Sequence, residues 1–314
     1  MTLEFTPLSA NVGLSVRGLD LDAPIAAETR AQLWSAFIQA GVLAFRGAGA
    51  TPEAHLALSR CFGELQRHPA KENWVAGYPE LVDISYRPGN GSDSSVALYE
   101  VDGVRKGGWL PWHADLMFMD KINRGGILRA LTLPRQGGRT GFIDRIRAYE
   151  RLPEPLKQRI EGLHVIYQIR PDFTFEKFGK PDSLKLVANA TGMVSIAARI
   201  DRDFPPVLHP MVFTQPETGR KVLNVSPTSA LGIYEMQNEE GEALLAEIVS
   251  HMTNPDQAYF HAWHENDLVL WDNWRTLHCA EGVPDDCTRE MQRTTIAGDY
   301  AQGRRLAPEE VLAR

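Results

Sequence analysis

A mainly β fold with flanking α-helices is the class this sequence predicts, and three observations carry it. Two segments near the start show a helical apolar period. One segment late in the chain is a clean amphipathic helix. Much of the remainder alternates apolar with polar residues or runs as short apolar stretches, which is how strands read.

In chain order, "ETRAQLWSAFIQAG" (28–41) sets Leu33, Phe37 and Ile38 at helical spacing and stops at Gly41, a suitable C-terminal glycine. "VLAFRG" (42–47) predicts a short buried strand. "TPEAHLALSRCFG" (51–63), with Thr51 to cap and Pro52 in the first turn, predicts a second helix. Residues 86–108, rich in Gly, Ser and Asp, predict a long loop with at most one short strand. Its glycines (Gly89, Gly91, Gly103, Gly107, Gly108) would let it close over a site as a lid; a surface excursion is the alternative. Residues 145–162 read as helical around Pro153 and Pro155, and "EEGEALLAEIVSHM" (239–252) as an amphipathic helix. "AYFHAWHENDLVLWDN" (258–273) puts Tyr259, His261 and Trp263 on one strand face. No Pro/Gly linker divides the chain, so one domain over 1–314 is expected.

The chain has 314 residues, 43% hydrophobic and 23% charged, with a net charge of −7. That balance argues against a nucleic-acid partner, because phosphate binding needs a basic face. It leaves room for a small anionic substrate held by one or two arginines. Three widely spaced cysteines, Cys61, Cys279 and Cys287, make no disulfide framework and fit a reducing cytoplasm. The start reads as no signal peptide, and no apolar run is long enough to span a bilayer, so no membrane partner is expected. A homo-oligomer is compatible with the sequence.

Chemistry centres on "WLPWHADLMF" (109–118), where His113 and Asp115 interrupt an apolar run two positions apart. On a strand, positions i and i+2 share a face, so an imidazole and a carboxylate would project together. That is two-thirds of a 2-His-1-carboxylate metal site. The pair alone is weak, since such a triplet recurs by chance in about half of chains like this one. A third ligand is offered by "LVLWDNWRTLHCAEG" (268–282): a strong strand ends at Asp272 and Asn273, and a second extended piece delivers His278. Among the other histidines, His261 is expected as a packed core residue, His251 and His264 in polar surroundings, His164 in a buried strand and His55 in solvent. Downstream, "TREMQRTTIAGDY" would place Arg289, Met291 and Arg293 on one strand face, looking into one cavity. Arginine suits a carboxylate held in a bidentate fork.

These residues carry a resemblance. From "GLDLDAPI" and "GVLAFRG", through "FGELQRHP", "WHADLMF" and "GGRTGF", to "HPMVFTQPETGRKVLNV", "DLVLWDNWRTLH" and "REMQRTTIAGD", the sequence resembles the taurine dioxygenase/2,4-dichlorophenoxyacetate dioxygenase (TauD/TfdA) family of Fe(II)- and 2-oxoglutarate-dependent oxygenases. The resemblance implies a double-stranded β-helix, a cupin-like jelly roll, whose closure would bring His113 and His278 together. It implies that His113, Asp115 and His278 bind iron and that Thr140 and Arg289 hold the distal carboxylate of 2-oxoglutarate. It also implies that Arg293 meets the substrate's anionic group and that His68 touches substrate. Trp109 and Phe118 are further candidate substrate contacts. The formal charges of Fe(II), Asp115, 2-oxoglutarate and Arg289 cancel, which a partly buried site tolerates.

The implied reaction couples O2 and decarboxylation of 2-oxoglutarate, to succinate and CO2, with hydroxylation of a small molecule bearing an anionic group and an apolar or aromatic body. Asp115 matters here, because a small residue in its place would suggest halogenation. The sequence departs from the family at Arg139, where an aspartate is usual, at Trp274, where an arginine is common, and at Trp109, where taurine enzymes carry an asparagine. Taurine is therefore disfavoured. The alternatives are a catalytically silent metal- or ligand-binding jelly roll and a zinc hydrolase using the same ligands.

Overall fold

The computed structural model of the chain describes residues 2–67, 71–89, 94–190, 197, 199–299, 302–307 and 310. A nine-stranded sheet forms one wall of the core. Its strands run in the order Glu4–Pro7, Leu14–Arg17, Val42–Phe45, Leu268–Asp272, Gly125–Thr132, Glu290–Ile296, Tyr78–Asp83 and Trp74–Val75, with Leu65–Gln66 added beside Glu290–Ile296. A four-stranded sheet faces it, in the order Tyr259–His261, Thr140–Asp144, Thr276–Ala280 and Leu110–His113. Leu14–Arg17 pairs in parallel with Val42–Phe45; the other neighbours in these two sheets are antiparallel. This is the expected double-stranded β-helix, mainly β with helices outside.

Period-two alternation explains how the large sheet serves two cores at once. Leu268 and Leu270 point outward with Leu43, Phe45 and Ile127, against Leu33, Phe37 and Ile38 of the helix Ala27–Ala40 and Leu58 of the helix Pro52–Ser59. Val269 and Trp271 point inward with Val42, Ala44, Leu128 and Met291, against Phe142 of the facing sheet. Each fully buried aliphatic side chain in these layers contributes about 1.5–3 kcal/mol. The larger remaining core packs Ile143 and Leu277 against the helices Arg145–Arg151, Glu154–Ile160 and Glu239–Met252.

Both early helices end as their sequences require. Gly41 takes φ 72° and its amide reaches the Phe37 carbonyl; the Thr51 side chain accepts from the Ala54 amide. The helical region 145–162 is two helices, because the residue before a proline is driven out of the helical region, and Leu152 before Pro153 is extended.

Three expectations need correction here. The segment 86–108 is not a loop with at most one strand: Leu98–Val101 and Val104–Gly107 form a hairpin, continued on one side by Lys185–Ala188 and on the other by Val283–Pro284. Residues 90–93, including Gly91, lie outside the described residues. His55 is not in solvent. It is fully buried, its Nε2 donating to the Ile127 carbonyl at 3.0 Å, and burial lowers it to about 3. His164 does lie on a strand, His164–Tyr167, but its ring is part-exposed and pairs with Glu235 at 2.7 Å. Among the described residues no helix is long and apolar enough to cross a membrane.

Candidate active site

His113 ends the strand Leu110–His113 and stands in register opposite His278 on Thr276–Ala280. Their ring centroids are 4.0 Å apart. Asp115 is not on that strand, contrary to the expected i, i+2 pairing. The strand stops at His113, and Leu116 takes φ 59°, so a turn swings the carboxylate back to the two rings. Asp115 Oδ1 lies 3.9 Å from His113 Nε2 and 3.8 Å from His278 Nε2. Two donors each about 2.1 Å from one ion are at most about 4.2 Å apart, so these separations fit a shared divalent metal.

The protonation states fit as well. His113 Nδ1 donates to the Pro111 carbonyl at 2.8 Å, which leaves the Nε2 lone pair facing the cluster. Burial is the largest influence on both imidazoles and lowers both, so they are neutral. Burial pushes the Asp115 carboxyl up, but the opposing influences, led by the charge of the Arg293 guanidinium that also donates to it, hold the group at about 2. Among the described residues, Asp115 Oδ2 is buried without a hydrogen-bond partner. Neutral nitrogens and an ionised carboxylate with a free oxygen are what a metal ion requires.

On the strand Thr140–Asp144, Thr140 opens toward the same space. Two glycines precede it: Gly137 and Gly138 have φ of 72° and 76°, and a Cβ on Gly138 would sit 3.2 Å from Arg289 Cδ. This close turn lets the Gly138 carbonyl accept from Arg289 Nε at 3.2 Å. Arg289 is buried, and among the described residues it makes no salt bridge. Burial lowers it to about 10, so it stays charged at neutral pH. A buried cation with no counter-ion is costly and points to an anionic ligand.

Thr140 Oγ1 accepts from Trp263 Nε1 at 3.0 Å and from Arg289 Nη2 at 3.4 Å. With two N–H groups donating to it, the hydroxyl keeps its own proton for a third group.

A cavity of about 350 Å³ joins these groups, lined by His113, Asp115, His278, Thr140, Arg289 and Arg293 among others. A second cavity, of about 440 Å³, touches Gln66, Arg67, Lys121 and Phe204. The two share Asp115, Leu116, Phe118, Ile169 and Arg293 as a common wall.

The family model described as "Taurine catabolism dioxygenase TauD, TfdA family" matches residues 4–295. The alpha-ketoglutarate-dependent 2,4-dichlorophenoxyacetate dioxygenase of Burkholderia sp. (strain RASC) is 33% identical over 264 residues, 83% of this chain and 82% of that protein. The chain belongs to the TauD, TfdA family. The (S)-phenoxypropionate/alpha-ketoglutarate-dioxygenase of Sphingobium herbicidovorans is 31% identical over 306 residues, 97% of this chain and 98% of that one. The crystal structure of AAD-2 in complex with Mn(II) and N-oxalylglycine superposes with a TM-score of 0.72 at 28% identity, over 96% of this chain and 100% of that one. This family member is therefore an oxidoreductase, a dioxygenase using 2-oxoglutarate, O2 and an Fe(II)-type metal.

Within the dioxygenase, Phe118 lines both cavities and meets the Phe204 ring edge-on at 5.6 Å. Arg293 lines both too, and its Nη1 donates to Asp115 Oδ1 at 3.1 Å. Trp109 lines neither. Leu110 takes the cavity side, and extended neighbours alternate, so Trp109 turns away and packs edge-on to Tyr99. Met291 also misses the cavity and is buried with Phe142 and Trp271. His68 lies outside the described residues. Sequence reasoning missed Trp263 as a partner of Thr140, although its place two residues beyond His261 on an alternating face was the available signal. It missed Phe204 and Ile169, for which no motif pointed to the site.

Proposed function

We propose that this dioxygenase hydroxylates a small organic anion with an apolar or aromatic body, coupled to decarboxylation of 2-oxoglutarate to succinate and CO2. His113, Asp115 and His278 hold the metal, and Thr140 and Arg289 hold the cosubstrate's distal carboxylate. Bound iron supplies the O2 activation; the protein supplies placement and a dry pocket. The observation that carries the substrate reading is the position of Arg293. It stands in the wall between the metal cluster and the second cavity, with its Nε buried and, among the described residues, unpartnered. Phe118 and Phe204 offer that cavity an aromatic surface, and Arg67 and Lys121 add positive charge. A ring bearing a carboxylate matches both features, and the named substrates of the two relatives above are of that kind.

The test is succinate formation under Fe(II), O2 and 2-oxoglutarate with phenoxyalkanoic acids, alkyl sulfates and aliphatic sulfonates offered in parallel. Stimulation by aromatic carboxylates above the others is expected. Stimulation by sulfonates alone would refute the aromatic-acid reading. Succinate that forms only with iron and O2 separates an oxygenase from a zinc hydrolase or a silent jelly roll.

We further take residues 1–314 as one catalytic unit. Its net charge of −7 suits neither nucleic acid nor an anionic membrane surface. Its free Cys61, Cys279 and Cys287 suit a reducing cytoplasm.

A further inference from the structure

Asp115 reaches the two histidines from a turn, so something other than strand geometry must aim it. The chain on either side gives only part of the answer. The Ala114 amide donates to Ser226 Oγ at 3.2 Å, and after the left-handed Leu116 the Met119 amide closes on the Leu116 carbonyl at 2.8 Å. The remaining backbone groups of Asp115 itself both go to one side chain. The Asp115 amide donates to Asn273 Oδ1 at 2.7 Å, and Asn273 Nδ2 donates to the Asp115 carbonyl at 2.9 Å. One planar amide thus grips the N–H and C=O of a single residue, which fixes the direction of its Cα–Cβ bond.

The grip is itself anchored. Asn273 is fully buried, and its Nδ2 also donates to Asn123 Oδ1 at 2.9 Å. Asn273 Nδ2 also faces the Asn123 carbonyl at 3.3 Å, so three acceptors on Asp115 and Asn123 surround the Nδ2 side of the amide. Its backbone amide donates to the Arg124 carbonyl at 2.9 Å, and its carbonyl accepts from Arg145 Nη2 at 2.7 Å. The preceding Asp272 is held by Arg124 at 3.0 Å and caps the Trp274 amide at 3.0 Å. A turn between the strands Leu268–Asp272 and Thr276–Ala280 is therefore rigid on every side, and His278 leaves the same turn a few residues later. We propose that Asn273 is a positioning residue that couples this turn to Asp115, holding the carboxylate and His278 in one fixed relation. The inference rests on the reading of His113, Asp115 and His278 as metal ligands. Outer partners that orient ligands typically govern metal affinity by 10- to 100-fold.

The experiment is titration of the purified full-length chain with Mn(II), read by calorimetry, with thermal unfolding of the metal-free proteins alongside. Wild type, Asp115→Ala and Asn273→Ala are compared. Asn273→Ala is expected to bind Mn(II) about 10- to 100-fold more weakly. A merely structural asparagine would lower the unfolding midpoint and leave the affinity of the folded protein unchanged; a folded Asn273→Ala losing less than tenfold overturns the inference. If that variant does not fold, Asn273→Ser, whose shorter side chain cannot span both the amide and the carbonyl of Asp115, takes its place under the same criterion. Wild-type affinity in Asp115→Ala would refute the metal-ligand reading and this inference with it.

Discussion

His113 and His278 face each other in register across two antiparallel strands, rings 4.0 Å apart, although they come from opposite halves of the chain. The antiparallel pairing of Leu110–His113 with Thr276–Ala280 provides that meeting. Their convergence with Asp115 predicts distinct losses. Asp115→Ala should abolish substrate-stimulated succinate release. His113→Ala or His278→Ala should weaken Mn(II) binding at least about tenfold. Wild-type metal affinity and turnover in any one variant would remove that residue from the cluster.

The parts of this site differ in how openly the sequence carried them. His113 and His278 stood out because strands delivered them and a resemblance singled them out. Asp115 was expected on the right face for the wrong reason: pairing at i, i+2 assumes a strand, and the strand ends at His113. The hairpin in 98–107 was hidden by its Gly and Ser neighbours, yet its signal was present. Asp102 and Gly103 between valines form a two-residue turn, with φ of 52° and 77°, and Asp-Gly between apolar residues is a strong hairpin pattern. The second cavity had no local signal, since Arg67, Lys121 and Phe204 meet only through tertiary packing.

Arg289 and Arg293 should separate by phenotype. Arg289→Ala removes the buried cation expected to hold the cosubstrate carboxylate. Breaking such a pair costs about 3–5 kcal/mol, so the 2-oxoglutarate requirement should rise by about 10²- to 4 × 10³-fold. Arg293→Ala should mainly raise the KM for the primary substrate. Steady-state kinetics in each substrate decide it, and exchanged phenotypes would show the roles reversed.

Trp263 should act on 2-oxoglutarate through Thr140. Its indole N–H donates to Thr140 Oγ1 at 3.0 Å, and it is not among the residues lining the cavity. Trp263→Phe keeps the ring and removes the donor, leaving the hydroxyl free to rotate. A hydrogen bond of about 0.5–1.5 kcal/mol predicts a 2- to 10-fold weaker binding of 2-oxoglutarate. Mn(II) affinity should not change. In a Thr140→Ala background the Trp263→Phe effect should vanish; equal effects in both backgrounds would show that Trp263 acts elsewhere.

Glu176 predicts a pH dependence of stability. It is buried at the cavity wall, where its Oε2 accepts from the Ser229 amide at 2.6 Å. Burial pushes its carboxyl up to about 8, against the smaller opposing pulls of that amide and of Arg170. The folded chain therefore keeps this proton at pH values where the unfolded chain, near 4.5, has lost it. Between those values the native state binds more protons, so stability falls as pH rises. Glu176 is harmless below about pH 4.5 and carries its full penalty above about pH 8. His55 and His209, both lowered by burial, act in the opposite direction on the acid side, so the wild-type profile alone mixes the two trends. Comparison with Glu176→Gln isolates the carboxyl, because glutamine mimics its neutral form and still accepts from Ser229. The variant should match wild type in unfolding free energy near pH 4.5 and exceed it at pH 9, by an amount of the order of a few kcal/mol. A gap of the same size at both pH values would mean that the Glu176 carboxyl does not titrate differently in the folded chain.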